Sequence, residues 1–264
     1  MSQKTADIAN ALGVQPRLMS SDPPAMARAR AKLTFPGGLS LAMLVVILVG
    51  FAPTFFLRAF FDVPEIPGYL ILHGAVSTTW FVLAFVQTQL AAHRNLRLHR
   101  RLGIGGVIVA FAAVASGVQT SLGMVPRRLA AGMHLDAAEL EFLGLISSAN
   151  IAFFIMFPVL IALAIGFRRR PAIHHRLMLV ASISMIGPAA MRIASWFGEV
   201  PNPITPIIVF GFLAALIGHD IRAEGRSHAA TIAGAAFAIL VGVSVQLIKF
   251  GDKIIAWQLA QFGS

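Results

Sequence analysis

Seven apolar runs dominate this chain, each near the roughly 20 residues that a helix needs to cross the hydrocarbon of a bilayer. They lie at about Leu39 to Phe61, Gly68 to Ala92, Leu102 to Met124, Ser148 to Phe167, His174 to Phe197, Ile204 to Gly218 and Ala229 to Lys249. Lipid offers the backbone no hydrogen-bond partner, so runs of this kind close their N–H and C=O groups within helices. The expected fold is all-α: an integral membrane helical bundle of about seven transmembrane helices. With 57% hydrophobic and only 12% charged residues, and a mean hydropathy of +0.79, the chain is too apolar for a soluble domain with an ordinary surface. The sixth run is the shortest, and if it re-enters rather than crosses, the C-terminus changes side.

Residues 1–34 are polar and proline-containing, with no apolar segment directly after the start, and read as a flexible cytoplasmic tail rather than a cleaved signal peptide. Residues 35–252 form the membrane domain, and 253–264 a short outer tail. Most of the 21 Lys and Arg fall before the first run, in Arg94 to Arg101, in Arg168 to Arg176, and at Arg222 and Arg226. The acidic Asp62, Glu65, Asp136, Glu139, Glu141, Glu199 and Asp252 alternate with them. Basic loops stay in the cytoplasm, which places the N-terminus there. The +10 formal charge is thereby explained by orientation, without nucleic acid as a partner. Asp136 to Phe142, in the longest outer connection, reads as a short surface helix capped by Asp136.

Polar residues inside spans are costly in hydrocarbon and become candidate functional residues. His73, Ser77, Trp80, Ala84 and Gln87 recur at helical spacing on one stripe of the second run. His175, Met178, Ser182, Met185, Ala189, Arg192 and Trp196 do so on the fifth. Counted in depth at about 1.5 Å per residue, His73, Gln119, Asn150 and Arg192 share one layer of the outer leaflet. Trp80, Gln87, Gln119, Asn150, Ser182 and Met185 are the candidate ligand-binding residues there. Packing, backbone hydrogen bonds and snorkelling of Arg192 compete with that reading.

Six of the eight histidines, namely His93, His99, His174, His175, His219 and His228, fall at the cytoplasmic ends of the runs. Imidazole is a common metal and haem ligand, so His93, His99, His174, His175, His219 and the carboxylate of Asp220 are candidate metal ligands. His73, His99 and His175 are candidate haem ligands, with Arg192 for an anionic group. The competing account is that interfacial histidines bind water, head groups or helix carbonyls. The absence of cysteine removes disulfides, thiolate ligands and iron–sulfur clusters. No HExxH and no P-loop occurs, and Gly103 to Gly106 follow no strand, so a dinucleotide motif is not indicated.

The run Leu72-His73-Gly74 with Trp80, Gln87 and Gln89, then His99-Arg100-Arg101-Leu102-Gly103, and later His175-Arg176-Leu177-Met178 with Arg192, resembles poorly characterised bacterial multi-pass membrane proteins. These are of the domain-of-unknown-function type and loosely similar to membrane proteins of haem-copper oxidase assembly. The resemblance implies a bacterial cytoplasmic membrane and favours haem or metal handling. It departs from cytochrome b561, because paired mid-membrane histidines are missing. Three functions follow as expectations: a redox or assembly protein holding haem b or a His-ligated metal; a transporter or receptor for a small anionic or lipid-like ligand; and an accessory subunit with a membrane-complex partner.

Overall fold

The computed structural model describes residues 33–199 and 201–263, so the tail expected over residues 1–34 lies outside the described residues except for its last two. Among the described residues the chain is helical, with no strand. The helices are α1 (Phe35–Gly50), α2 (Gly68–Ala92), α3 (Leu96–Leu122), α4 (Met124–Ala130), α5 (Ala137–Gly166), α6 (Pro171–Ile183), α7 (Gly187–Ala194), α8 (Ile204–Glu224), α9 (Ala229–Leu247) and α10 (Phe250–Phe262). Five of them, α2, α3, α5, α8 and α9, are long and apolar enough to cross a membrane, and a sixth crossing follows if the bent pair of α6 and α7 is one broken span. This is the build of a multi-pass membrane protein. Large apolar side chains on the outer faces agree: Ile104, Ile108 and Phe111 make one stripe of α3, and Phe111 is 76% exposed. Such a surface is stable only against lipid.

Local chemistry sets the helix ends. Asn95 caps α3 by accepting from the Leu98 N–H at 3.3 Å, and Arg94 turns the chain with φ 57°, so α2 and α3 form a tight antiparallel pair. Asp136 accepts from the Glu139 N–H at 2.8 Å. The expected cap is therefore present, but it opens the 30-residue α5 rather than a separate surface helix. Pro171 and Pro188 sit in the first turns of α6 and α7, where the missing N–H is harmless. Gly225, at φ 72°, terminates α8.

Two runs and the C-terminal tail differ from expectation. The first forms only 16 helical residues, ending at Gly50, and continues as a π-helical turn, Ala52–Phe56, that contains Pro53. At about 1.5 Å per residue α1 falls short of a roughly 30 Å hydrocarbon core by itself. The fifth breaks at Ser184–Ile186, and its halves diverge by 41°. The short outer tail expected over 253–264 is mostly helix, α10, docked on α5. Gly251 makes the close approach: its N–H donates to Ser148 Oγ at 2.9 Å, and an added Cβ would lie 2.5 Å from that oxygen.

α5 is the central helix and packs against α3, α6, α9 and α10. The main core gathers Met43, Phe81, Phe157, Leu160, Ile183, Ile186 and Leu216 from five helices and the break between α6 and α7. A smaller cluster of Met124, Val125, Leu143 and Ile255 lies under α10. Lipid is as apolar as these side chains, so close packing and polar pairing rather than water exclusion hold the helices together. Small residues permit the closest approaches: a Cβ on Gly50 would stand 2.5 Å from the Ala189 carbonyl oxygen of α7.

Candidate functional site

The antiparallel helices gather the residues of interest at two ends. One, the basic end, carries the starts of α1, α3, α6 and α9. The distal end carries the π turn, the start of α2, α7 and α10.

At the basic end, His99 lies in the first turn of α3 and His174 in the first turn of α6. Their ring centroids are 6.5 Å apart with planes at 83°. Each ring is oriented by the backbone of another helix. His99 Nδ1 lies 3.3 Å from the Gln87 carbonyl oxygen of α2, and His174 Nδ1 lies 2.8 Å from the Ala164 carbonyl oxygen of α5. A carbonyl only accepts, so both Nδ1 atoms carry a proton, which in the neutral ring leaves the lone pair on Nε2. Neither Nε2 has a protein partner among the described residues. The Gln87 side chain returns a hydrogen bond, Nε2 to the His99 carbonyl at 3.1 Å, while its Oε1 is buried and unpaired.

The other inner candidates are occupied differently. His175 pairs Nδ1 with the Pro171 carbonyl oxygen of its own helix at 2.7 Å. His219 stacks on Phe35, centroids 3.9 Å apart, His228 caps α9 by accepting from the Ala230 N–H at 3.1 Å, and His93 is exposed. Asp220 is buried in an ion pair. Its Oδ1 accepts from Arg176 Nε at 2.9 Å, and its Oδ2 accepts from Thr231 Oγ1 at 2.5 Å. Arg176 also reaches Glu224 at 2.6 Å. With both oxygens engaged, Asp220 is not free to ligate a metal. Among the described residues no three His, Asp or Glu come together as a metal cluster.

The two polar stripes do face each other, but chiefly to satisfy one another. Trp80 Nε1 donates to Ser182 Oγ at 3.2 Å, and that hydroxyl donates to the Met178 carbonyl at 3.0 Å. Trp80 is buried edge-on against Phe157. Met185 packs at the margin of the main core. These residues brace α2 against α6.

At the distal end the expected four-residue layer is only partly assembled. His73 Nδ1 pairs with Ser116 Oγ of α3 at 3.0 Å. Arg192 places its guanidinium 4.2 Å from the Phe51 ring centroid. Gln119 is exposed on α3, because the helical period turns Ser116 and Gly117 toward α2 and α5 instead. Asn150 reaches Ser121 Oγ at 3.4 Å. Gln258 of α10, fully buried, ties down this end by accepting from the Val125 N–H and donating to the Ser121 carbonyl, both at 3.1 Å.

Sequence reasoning did not find the Arg176 network, Phe51, Ser116 or Gln258. The first had a signal: Arg176 is a cation within the apolar run His174 to Phe197, and a charge there needs a counter-charge at matching depth. No family model, curated protein or solved structure matches this chain.

Proposed function

We propose that this protein crosses a bacterial cytoplasmic membrane seven times, with its basic end in the cytoplasm, and holds haem b or a single His-ligated metal between His99 and His174 for a redox or assembly role. The seventh crossing is α1 extended by the π turn. The orientation rests on the basic loops.

The histidine pair carries the functional reading. Nδ1 bound to a backbone carbonyl with Nε2 left free is the outer-shell arrangement that orients metal-ligating imidazoles. With ring centroids 6.5 Å apart, the two imidazoles are near enough for both to hold one haem iron or one metal ion. The pairing is His99 with His174 rather than with His175. Arg192 is withdrawn as a haem partner, because it lies roughly 25 Å further along the broken span from His174. Arg100 and Arg101, beside His99, and Arg168 to Arg170, before α6, supply cations at the right end for propionates. When bound, the group would supply a one-electron couple; the chain's own part is to orient the two ligands.

The test is an absorption spectrum and metal analysis of full-length protein purified in detergent after haem-replete expression. A Soret band that moves on reduction, lost in both His99→Ala and His174→Ala and kept in His175→Ala, is expected. Colourless, metal-free protein, or a band that survives both substitutions, would overturn the proposal.

A further inference from the structure

We propose that the distal end holds a second site, in which Arg192, with Phe51 and His73, binds the head group of an anionic phospholipid that carries a free hydroxyl, of the phosphoglycerol type. Arg192 stands in the last turn of α7, and among the described residues its guanidinium makes one hydrogen bond, from Nη1 to the Pro188 carbonyl of its own helix, at 3.2 Å. Among the described residues no carboxylate pairs with it. A guanidinium has five N–H donors, and an arginine in a membrane segment requires an anion, water or carbonyls to take them. Phe51 covers one face of the group at 4.2 Å. That contact holds the plane and leaves the edge open, which is the edge that binds phosphate in two-point fashion.

His73 adds the second half of the recognition. The Ser116 hydroxyl spends its one hydrogen on the Ala112 carbonyl at 2.7 Å, so toward His73 it accepts, and His73 Nδ1 donates. Nε2 is then an acceptor with no protein partner among the described residues. Phe51, which stacks on Arg192, leads into the turn whose Phe55 packs against Gly74 next to His73, and a cation and an acceptor joined in this way suit a phosphate next to a hydroxyl better than a bare carboxylate.

The backbone around these residues is irregular in two places. The π turn Ala52–Phe56 begins directly after Phe51, and its Phe55 ring lies where a Cβ on Gly74, next to His73, would stand 2.6 Å away. The broken span supplies α7. Irregular backbone at membrane depth is tolerated where it is buried in protein or lines a cavity, and π turns concentrate at functional sites. Trp196, 52% exposed, follows Arg192 by about one turn, or roughly 6 Å along the helix axis. This fits an interfacial aromatic and puts Arg192 within reach of a lipid phosphate.

Thermal unfolding of the detergent-purified full chain tests the proposal, with phosphatidylglycerol, phosphatidylcholine or soluble glycerol phosphate added. Phosphatidylglycerol should raise the midpoint by several degrees beyond phosphatidylcholine, with glycerol phosphate giving little. Arg192→Gln should abolish that difference, Arg192→Lys and His73→Phe should reduce it, and His99→Ala should leave it intact. If Arg192→Gln does not fold, Phe51→Leu takes its place and should weaken lipid binding about tenfold in titration. Equal stabilisation by both lipids in the wild type, an undiminished difference in the variants, or full stabilisation by soluble glycerol phosphate would overturn it.

Discussion

Replacing Asp220 by alanine should be among the most destabilising single changes in the bundle. Arg176 and Asp220 have side-chain exposures of 4% and 1%, and they join α6 to α8. Asp220 Oδ2 also receives the Thr231 hydroxyl at 2.5 Å and the His228 N–H at 3.4 Å, which extends the junction to α9. Removing one partner of a buried pair costs about 3–5 kcal/mol, and an unpaired buried hydroxyl such as Thr231 adds about 1–3 kcal/mol. Arg176 keeps two other partners, Glu224, which is 39% exposed, and the Ala172 carbonyl at 2.8 Å. The expected loss for Asp220→Ala is therefore about 4 kcal/mol, a large share of a total stability of about 5–15 kcal/mol. Asp220→Asn, which keeps the volume and the Thr231 bond, should lose about half as much. Equilibrium unfolding by SDS titration in mixed micelles, followed by helical circular dichroism, measures both. The pair Arg176→Leu with Asp220→Leu should recover most of the loss, because two apolar groups leave no charge buried. A change under about 1 kcal/mol for Asp220→Ala, or a double variant no more stable than the single one, would refute the reasoning.

Other contacts give independent expectations. Gly50→Ala should push α1 from α7, since its Cβ would meet the Ala189 carbonyl oxygen at 2.5 Å; the same titration should show a loss of about 1–3 kcal/mol, and a neutral result would contradict that approach. Gln258→Ala should strand the Val125 N–H and Ser121 carbonyl, costing about 2 kcal/mol and speeding amide exchange at Val125 by mass spectrometry. Trp80→Phe removes the Nε1 bond to Ser182 while keeping an aromatic against Phe157; about 1–2 kcal/mol should be lost, and unchanged stability would mean that this bond does not brace α2 against α6.

The apolar runs and the cap at Asp136 were legible in the sequence because they follow from local chemistry, whereas the helix starts at Asn95, Pro171 and Pro188 were read only from the structure. Helices form where lipid denies the backbone other partners, and caps and prolines act within one turn. The two stripes that carry Trp80 and Ser182 were legible for the same reason, since helical periodicity fixes which residues of one helix share a face; that the stripes meet was not. Nor was the partner of each polar residue. His99 meets His174 rather than its neighbour His175 because adjacent residues on a helix point about 100° apart, and only the packing of α3 against α5 and α6 selects between them. Depth alone grouped Gln119 with His73, but rotation of α3 turned Ser116 inward in its place. The break between α6 and α7 and the docking of α10 also depend on approaches such as Gly50 to Ala189 and Gly251 to Ser148, made between residues far apart in the chain. That the chain is a helical membrane bundle with most of its histidines at the basic end follows from its apolar runs and local chemistry alone. Which of them face each other, and which charges cancel, was decided by tertiary structure, because in lipid the polar groups of one helix are satisfied by whichever helix packs beside it.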